Sequence, residues 1–309
     1  MRRILKQKTQ KNVTVSALRV VLIAVLSFVM VFSIYKIVQI LTEYEKGTQE
    51  YNDIASSFVE QLHTYKIPQS TEPPVSDDGT GESDTSAGAS EPDTEAEATD
   101  TAAVADTAEI SEPQEEVLVV PSVNISYLEY KNEDFVGWLY LDGTALNYPV
   151  TQGEDNEYYL SHTFYGVENK AGCIFKDCRN DPEADDYNTI FYGHNMKNGT
   201  MFALLKKYAR QDYFNEHKYI VYVTEDGPYV IKVFSAYTAS VDADAWKINF
   251  DSEDEYARWL DGITEKSEIN CGIDASVSDR VVTLSTCSFV FDNARFVVHG
   301  IIEPLFEKS

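Results

Sequence analysis

The chain has 309 residues, enough for one or two globular domains. Its 51 acidic residues against 25 basic ones give a net charge of −26, which argues against a protein that neutralises nucleic-acid phosphates. The four cysteines are too few for a disulfide framework in a chain of this length, and no Cys-x-x-Cys pair suggests a zinc ribbon.

The N-terminal segment has the features of a membrane anchor. Up to Lys36 it contains seven basic and no acidic residues, and Val20–Tyr35 is a run of sixteen uncharged, mostly apolar residues. About 20 helical residues cross a hydrocarbon core of about 30 Å, so Leu18–Leu41 is long enough if Arg19 and Lys36 reach the interfaces. The positive-inside rule then predicts a single span with residues 1–17 in the cytoplasm and everything after the span outside the cell.

A cleaved signal peptide is the alternative, because it also begins with basic residues followed by an apolar run. The apolar run here is longer than the roughly 7–15 residues of a signal-peptide core, and no Ala-x-Ala-like cleavage site follows it. We therefore expect an uncleaved anchor in the cell membrane.

Two different segments follow the predicted span. Residues 42–66 place four apolar side chains between Tyr51 and Leu62 at spacings of three and four, which predicts an amphipathic stalk helix. Residues 67–116 contain fifteen acidic and no basic residues, and they lack aromatic side chains. Such a composition cannot bury enough apolar surface to offset the entropy lost on ordering, so we expect a disordered, self-repelling linker.

Aromatic and β-branched residues return at Val117, where the predicted globular domain of residues 117–309 begins. Helices are predicted at Met201–Arg210 and at Ser252–Ser267, the second opening with the capping box of Ser252 and Glu255. Short apolar runs separated by turn signals predict strands at Val136–Leu141, Gly172–Lys176, Thr189–Tyr192, Tyr219–Thr224, Tyr229–Thr238, Arg280–Thr286 and Arg295–Ile302. Seven or more short strands favour a mostly β domain, either a barrel or a sandwich.

Cys287 and Arg295 are candidates for nucleophilic chemistry. Cys287 follows the run that ends at Thr286, and Arg295 opens the next run after a short loop. If the two runs pair as an antiparallel hairpin, both residues lie at neighbouring strand ends. A guanidinium near a sulfur favours the thiolate and can stabilise an oxyanion, the two requirements of acyl transfer through a thioester. His194, just past another predicted strand, supplies the proton carrier that a nucleophilic cysteine requires.

Other interpretations of the cysteines and histidines stay open. A single cysteine on a strand is more often a small apolar core residue than a nucleophile. Cys173 and Cys178 either form a local disulfide or remain free thiols, and Cys271 has no evident partner. A zinc site built from Cys173, Cys178 and a histidine is disfavoured because no ligand pair has a familiar spacing. The histidines that need no role beyond packing or solvation are His63, His162, His217 and His299.

Taken together, these segments resemble the class B sortases, which are membrane-anchored cysteine transpeptidases of Gram-positive bacteria. The run Thr283–Cys287 is similar to the TLxTC signature of that family, with serine at the variable position as in class B. Tyr192–Met196 resembles the family's histidine segment and Arg295–Val298 its arginine strand. The likeness covers essentially all of residues 125–303, including the runs Asp134–Trp138, Tyr148–Val150 and Asn156–Leu160.

The resemblance implies a sortase-type eight-stranded β-barrel with flanking helices. It also implies that Cys287 attacks the threonine carbonyl of a C-terminal sorting signal, forming a thioester that an amine of the cell-wall precursor or of another protein resolves. His194 would serve as general acid and base, and Arg295 would hold the substrate backbone and the oxyanion. The residues implied to contact the substrate are Asn156, Leu160, Trp246, Ser285 and Thr286. No metal or organic cofactor is expected.

Two features depart from the family pattern. Residue 288 is Ser where some relatives have an acidic residue, which argues against an Asp-His-Cys triad, and the acidic segment 67–116 is longer than expected. Two other functions stay open as alternatives. One is an extracellular cysteine endopeptidase that hydrolyses wall peptides, and the other is a catalytically silent wall-binding module in which Cys287 is a packing residue.

Overall fold

The computed structural model describes residues 2–66, 117–181, 186–287 and 293–306 as a mostly β fold with flanking helices. In chain order, the strands are β1 Val59–Lys66, β2 Val117–Val123, β3 Phe135–Tyr140, β4 Asn147–Thr151, β5 Ile174–Lys176, β6 Asn188–Tyr192, β7 Tyr219–Thr224, β8 Gly227–Ser240, β9 Arg280–Cys287 and β10 Ala294–Pro304. The α-helices are α1 Arg2–Phe58, α2 Ile125–Lys131, α3 Tyr158–Ser161, α4 Gln211–Glu216 and α5 Glu253–Glu265, and 3₁₀ helices cover Phe202–Ala209 and Asp244–Trp246.

Eight of these strands form a closed barrel in the order β10-β8-β7-β3-β4-β5-β6-β9. The predicted eight-stranded barrel is therefore confirmed, and the sandwich alternative is wrong. Most neighbouring strands are antiparallel, whereas β4 pairs with β5 and β6 pairs with β9 in parallel. Closure removes open sheet edges, and the hydrophobic core includes the almost fully buried side chains of Trp138, Leu139, Phe191, Leu284 and Phe296.

Each of the seven predicted strands corresponds to an observed strand whose ends lie within two residues of the predicted ones. Strand β4 was not predicted. It contains Pro149, which has no N–H and is paired with Trp138 of β3, so the run does not show the pattern of an ordinary strand. Strands β1 and β2 were also not predicted, because they pair with each other across residues 67–116.

Helix α5 begins where the capping box predicts it. The Ser252 hydroxyl accepts a hydrogen bond from the Glu255 N–H at 3.2 Å, whereas the Glu255 carboxylate accepts from the Asp251 N–H at 2.8 Å. The buried face of α5 carries the predicted residues Tyr256, Trp259, Leu260 and Ile263. This face packs against the core beside Phe234 and Val297, and so fixes the connection that leads from β8 through the 3₁₀ helix at Asp244–Trp246.

Helix α1 continues from the predicted membrane span into a packed contact with the barrel. The apolar side chains between Val20 and Leu41 are exposed, and among the described residues only this helix is long and apolar enough to cross a membrane. Farther along, Tyr51 and Ile54 are buried. The Tyr51 hydroxyl donates a hydrogen bond to the Gly172 carbonyl oxygen at 2.5 Å. The second half of α1 is therefore part of the folded domain.

The stalk helix predicted over residues 42–66 differs from the structure in two respects. Helix α1 ends at Phe58, and Val59–Lys66 forms β1, because pairing with the distant β2 outweighs local helical periodicity. The chain divides into two compact units, Met1–His63 with Val119–Ser309 and Thr64–Leu118, so the domain predicted to start at residue 117 also includes α1. The linker predicted at residues 67–116 lies outside the described residues, and its two flanks pair as β1 and β2.

Candidate active site

Three neighbouring strands bring the predicted catalytic residues to one end of the barrel. β9 and β10 pair antiparallel with Cys287 opposite Arg295, so the predicted hairpin arrangement is confirmed. β6 pairs in parallel with β9, with Tyr192 opposite Ser285. His194 and Cys287 each lie two residues beyond that pair, so the backbones of both residues reach the same end of the barrel. The parallel pairing was not predicted, because nothing local in either strand identifies its neighbour.

The His194 ring is oriented by a backbone carbonyl. Its Nε2 lies 2.7 Å from the Leu160 carbonyl oxygen. Because a carbonyl oxygen only accepts hydrogen bonds, Nε2 carries a proton in this arrangement. The backbone before it is also fixed, since the Gly193 N–H donates to the Ser285 carbonyl oxygen at 3.2 Å. A Cβ at Gly193 would come within 2.8 Å of the Phe202 ring, so the close approach at this point requires glycine.

Arg295 presents a cation next to the strand end that carries Cys287. The side chain is half-buried, and its Nη1 donates to the Ala294 carbonyl oxygen at 3.2 Å. None of the ion pairs formed within the described parts of the chain involves Arg295. The guanidinium therefore retains donors and charge that can stabilise an oxyanion.

A cavity of about 220 Å³ opens between these strand ends. The described residues that line it are Asn156, Leu160, Phe175, Tyr192, Gly193, His194, Ser285, Thr286 and Arg295. Four of the five residues predicted to contact substrate are thus in its wall. The fifth, Trp246, lines an adjoining cavity of about 540 Å³ that shares Tyr192 and Arg295 with the first. The Trp246 indole N–H donates to the Ser285 hydroxyl at 3.2 Å, which links the two cavities.

A buried carboxylate beneath the cavity was not predicted from the sequence. Asp177 follows β5 directly and has a fully buried side chain. It accepts hydrogen bonds from Arg179 Nε at 2.9 Å and Nη2 at 2.7 Å, and from the Tyr192 hydroxyl at 2.8 Å. Burial tends to raise the pKa of Asp177, but the hydrogen bonds from Arg179 and Tyr192 outweigh it, and that pKa is lowered to about 2.

Hydrogen bonds through the Asp177 carboxylate link residues that line the two cavities. Tyr192, which lines the smaller cavity, donates to Asp177, and Asn156 in the same wall accepts from the N–H of the next residue, Cys178, at 2.9 Å. Arg179 lines the larger cavity and also donates to the Trp246 carbonyl oxygen at 3.4 Å. The only sequence signal for the network is a carboxylate two residues before an arginine, which is too common to indicate a site.

The other described cysteines have environments that disfavour nucleophilic chemistry. Cys173, Cys178 and Cys271 are free thiols, so the disulfide considered for Cys173 and Cys178 is absent. Burial raises the pKa of Cys173 and of Cys271 to about 12. Both thiols therefore stay protonated at neutral pH, and a protonated thiol is a weak nucleophile.

One other histidine is unsuited to proton transfer near neutral pH. His299 is fully buried, within hydrogen-bond distance of the Thr283 hydroxyl (2.9 Å) and the Tyr237 hydroxyl (3.3 Å). Burial lowers the pKa of His299 to about 3, so its ring is neutral at physiological pH. It serves as a packed core residue, as expected.

Comparison with known proteins identifies the same part of the chain. The family described as "Sortase domain" matches residues 139–303. A curated relative, sortase B of Staphylococcus aureus (strain NCTC 8325 / PS 47), is 41% identical over 160 residues. That match covers 52% of this chain and 66% of the relative, so the chain matches slightly less than two thirds of that protein's length.

Solved structures are similar over the same barrel. A Staphylococcus aureus sortase B–substrate complex has a TM-score of 0.56 and 38% identity, covering 59% of this chain and 85% of that chain. A sortase B complexed with triglycine also has a TM-score of 0.56 and 38% identity, covering 59% of this chain and 86% of that chain. The similarity therefore extends over both the sequence and the fold of the barrel.

Proposed function

This chain belongs to the sortase family, and we propose that it is a membrane-anchored cysteine transpeptidase. In this proposal it cleaves a C-terminal sorting signal of an exported protein and transfers the new carboxyl end to an amine. The observation that carries the proposal is the strand register, because it brings Cys287, His194 and Arg295 to one barrel end beside a cavity.

The proposed reaction has two acyl-transfer steps. The Cys287 sulfur attacks the carbonyl carbon of the signal's threonine, and Arg295 donates hydrogen bonds to the oxyanion that forms. His194 protonates the leaving amine, so that the peptide bond breaks and a thioester remains. An incoming amine then attacks the thioester, His194 takes up its proton, and Cys287 leaves as the thiolate. Neither step requires a metal or an organic cofactor.

Substrate recognition is proposed for the two adjoining cavities. Asn156, Leu160, Ser285 and Thr286 line the smaller one, and Trp246 lines the larger one beside Arg295. A peptide in this position would place a carbonyl within reach of Cys287 and Arg295. A structurally similar sortase B has been solved as a substrate complex and another with triglycine, which supports a peptide substrate and an amine acceptor for this chain. The acceptor is an amine of the cell-wall precursor or of another protein.

The anchor is proposed to be Leu18–Leu41 in the first part of α1. Its exposed apolar surface supports this, because side chains between Val20 and Leu41 have no partner in the described residues that would cover them. The basic residues before and within the span favour a cytoplasmic N-terminus, which leaves the barrel on the outer side of the membrane.

The proposal is tested with full-length protein in detergent micelles and a panel of peptides containing Asn-Pro-x-Thr or Ser/Pro-Pro-x-Thr. Mass spectrometry should detect cleavage after threonine and, with added triglycine, a product joined to triglycine. Cys287→Ala should abolish both products, whereas the control Cys271→Ala should retain them because that thiol is protonated. Full turnover by Cys287→Ala would contradict the proposal, and cleavage without transfer would favour an endopeptidase.

A further inference from the structure

The contact between α1 and the barrel begins almost where the apolar part of the helix ends. Leu41 is the last residue of the exposed apolar segment. Glu43, two residues later, already pairs with Lys170 at 2.8 Å, and its carbonyl oxygen accepts from the Asn169 side chain at 3.1 Å. Since a helix rises about 1.5 Å per residue, this contact lies only about 3 Å farther along the helix axis.

The same contact is at the active-site end of the barrel. β5 runs antiparallel to β6, so the residues just before β5 lie at the end where β6 leads to His194. Asn198, four residues after His194, donates to the Thr48 hydroxyl at 3.2 Å. Thr48 is seven residues past Leu41, or about 10 Å along the helix axis. The headgroup region extends roughly 5–8 Å beyond each side of the hydrocarbon core, so a span ending at Leu41 would place this end of the barrel just outside that region.

The segment Val167–Lys170 reaches beside the last apolar turns of α1, and we name it the contact loop. A cleft of about 800 Å³ separates the two, with Val38 and Ile40 of α1 on one side and the contact loop on the other. Val167 is 54% exposed although it is apolar. A partly apolar cleft beside a membrane-spanning segment fits the glycerol and upper acyl region of a lipid.

The cleft is lined by equal numbers of cationic and anionic side chains, so it does not favour anionic over neutral lipids. The lining cations are Lys36, Lys46 and Lys170, and the lining carboxylates are Glu43, Glu50 and Glu168. The lysine stems can lie along apolar surface with their ammonium groups at the headgroups. Because the two signs balance, apolar contact through Val167 is the main attraction.

We propose that the contact loop lies in the interfacial region of the bilayer and holds the active-site end of the barrel toward the membrane. This inference rests on the proposed anchor, since a free α1 would not bring the contact loop to a bilayer. Its consequence is that Cys287 works close to the membrane surface rather than at the end of a long flexible stalk. A substrate still attached to the membrane could then reach the cavity within about 10 Å of the hydrocarbon boundary.

The test uses three single tryptophan substitutions in the full chain, reconstituted into vesicles of phosphatidylcholine with or without bromine on the upper acyl chain. Val167→Trp reports the contact loop and Phe28→Trp reports the anchor. The control is Val277→Trp, because Val277 is exposed and precedes β9, whose eight residues span about 26 Å to the active-site end. Emission of the wild-type protein is subtracted from that of each variant.

We expect brominated lipid to quench most of the added emission of Val167→Trp and Phe28→Trp, whereas Val277→Trp is quenched only by aqueous acrylamide. If Phe28→Trp is quenched by lipid and Val167→Trp only by acrylamide, the membrane contact is overturned and the anchor stands. If Phe28→Trp is not quenched by lipid, both proposals are overturned. Equal lipid quenching of Val167→Trp and Val277→Trp would overturn the proposed orientation.

Discussion

His194 is the residue at which the proposed proton transfers can be tested. Because the proposed mechanism assigns both the acid and the base role to this side chain, His194→Ala should lower kcat/KM for peptide cleavage by about a hundredfold or more, the usual scale of general acid–base catalysis. The control is His217→Ala, since His217 stacks on Tyr213 and does not line either cavity. A loss of only twofold for His194→Ala would mean that another group carries the proton.

Substituting Arg295 by lysine tests whether its side chain stabilises an oxyanion or only attracts the substrate by its charge. A lysine keeps the charge but cannot reproduce the planar pair of N–H donors. Loss of one oxyanion donor costs about a hundred- to thousandfold in rate, whereas loss of an exposed charge contact costs about 1 kcal/mol or less. We therefore expect Arg295→Lys to lower kcat strongly while KM stays within a few fold, as steady-state kinetics with the peptide would show.

If Arg295→Lys instead changed only KM, Arg295 would be a docking charge, and backbone N–H groups would have to stabilise the oxyanion.

The sequence could suggest Cys287, His194 and Arg295 because a signature and two strand ends coincide there. It could not show why Cys173 is unreactive, because the pKa of about 12 at Cys173 results from burial by residues distant in the chain.

At the scale of elements, Asp177 follows β5, bonds to Tyr192 of β6 and, through Arg179, is linked to the Asp244–Trp246 helix. Its charge should make the free energy of unfolding depend on pH. Its pKa falls from an ordinary 3.8 to about 2 in the folded protein. The resulting stabilisation is present above about pH 4 and is lost as pH falls toward 2, with an upper size of about 2 kcal/mol. Asp177→Asn should remove this pH dependence from the free energy of unfolding, measured with urea between pH 2 and 5.

The chain offers a matched control in the exposed pair of Asp212 and Arg210, which has the same two-residue separation. The Asp212 side chain is 62% exposed, whereas that of Asp177 is fully buried, so solvent screens the control pair. Asp212→Asn should leave the pH dependence of unfolding close to that of the wild type. Parallel curves for Asp177→Asn and the wild type would contradict the proposed role of the carboxylate. Asp177→Asn should also raise KM, because asparagine has one acceptor oxygen where the donors of Tyr192 and Arg179 use two.

Elements differ in how far local sequence determines them. β7 was predicted at its observed bounds because Tyr219–Thr224 is an apolar, β-branched run that ends at a hairpin connection. The parallel pairing of β6 with β9, on which the site depends, was not predictable, since the partners Asn188 and Val281 are 93 residues apart in the sequence. Local patterns thus located the strand ends, while tertiary pairing determined which ends meet.

For the whole molecule, the pairing of β1 with β2 shows that the acidic segment connects two neighbouring strands, whereas the sequence predicted a linker that precedes the folded domain. The second half of α1 packs against the barrel, and the strands on either side of residues 67–116 are hydrogen-bonded neighbours. The described residues that flank the segment, Lys66 and Val117, therefore belong to one two-stranded sheet, and α1 is the element that connects the proposed anchor with the barrel. Truncation to residues 117–309 should then destabilise the barrel, because it removes buried Tyr51 and Ile54, worth roughly 1.5–3 kcal/mol each.

Replacing residues 67–116 by a turn of about five Gly and Asn residues should have the opposite effect. The entropy of closing a flexible loop grows as about (3/2)RT ln n, so shortening fifty residues to about five should stabilise the fold by about 2 kcal/mol. Urea unfolding of this variant and of the 117–309 fragment, each beside the full chain, measures both effects. We expect the replacement to keep peptide cleavage unchanged, since it retains every described residue that lines the two cavities. A large loss of stability on replacement would show that the acidic segment contributes contacts to the fold that its composition does not indicate.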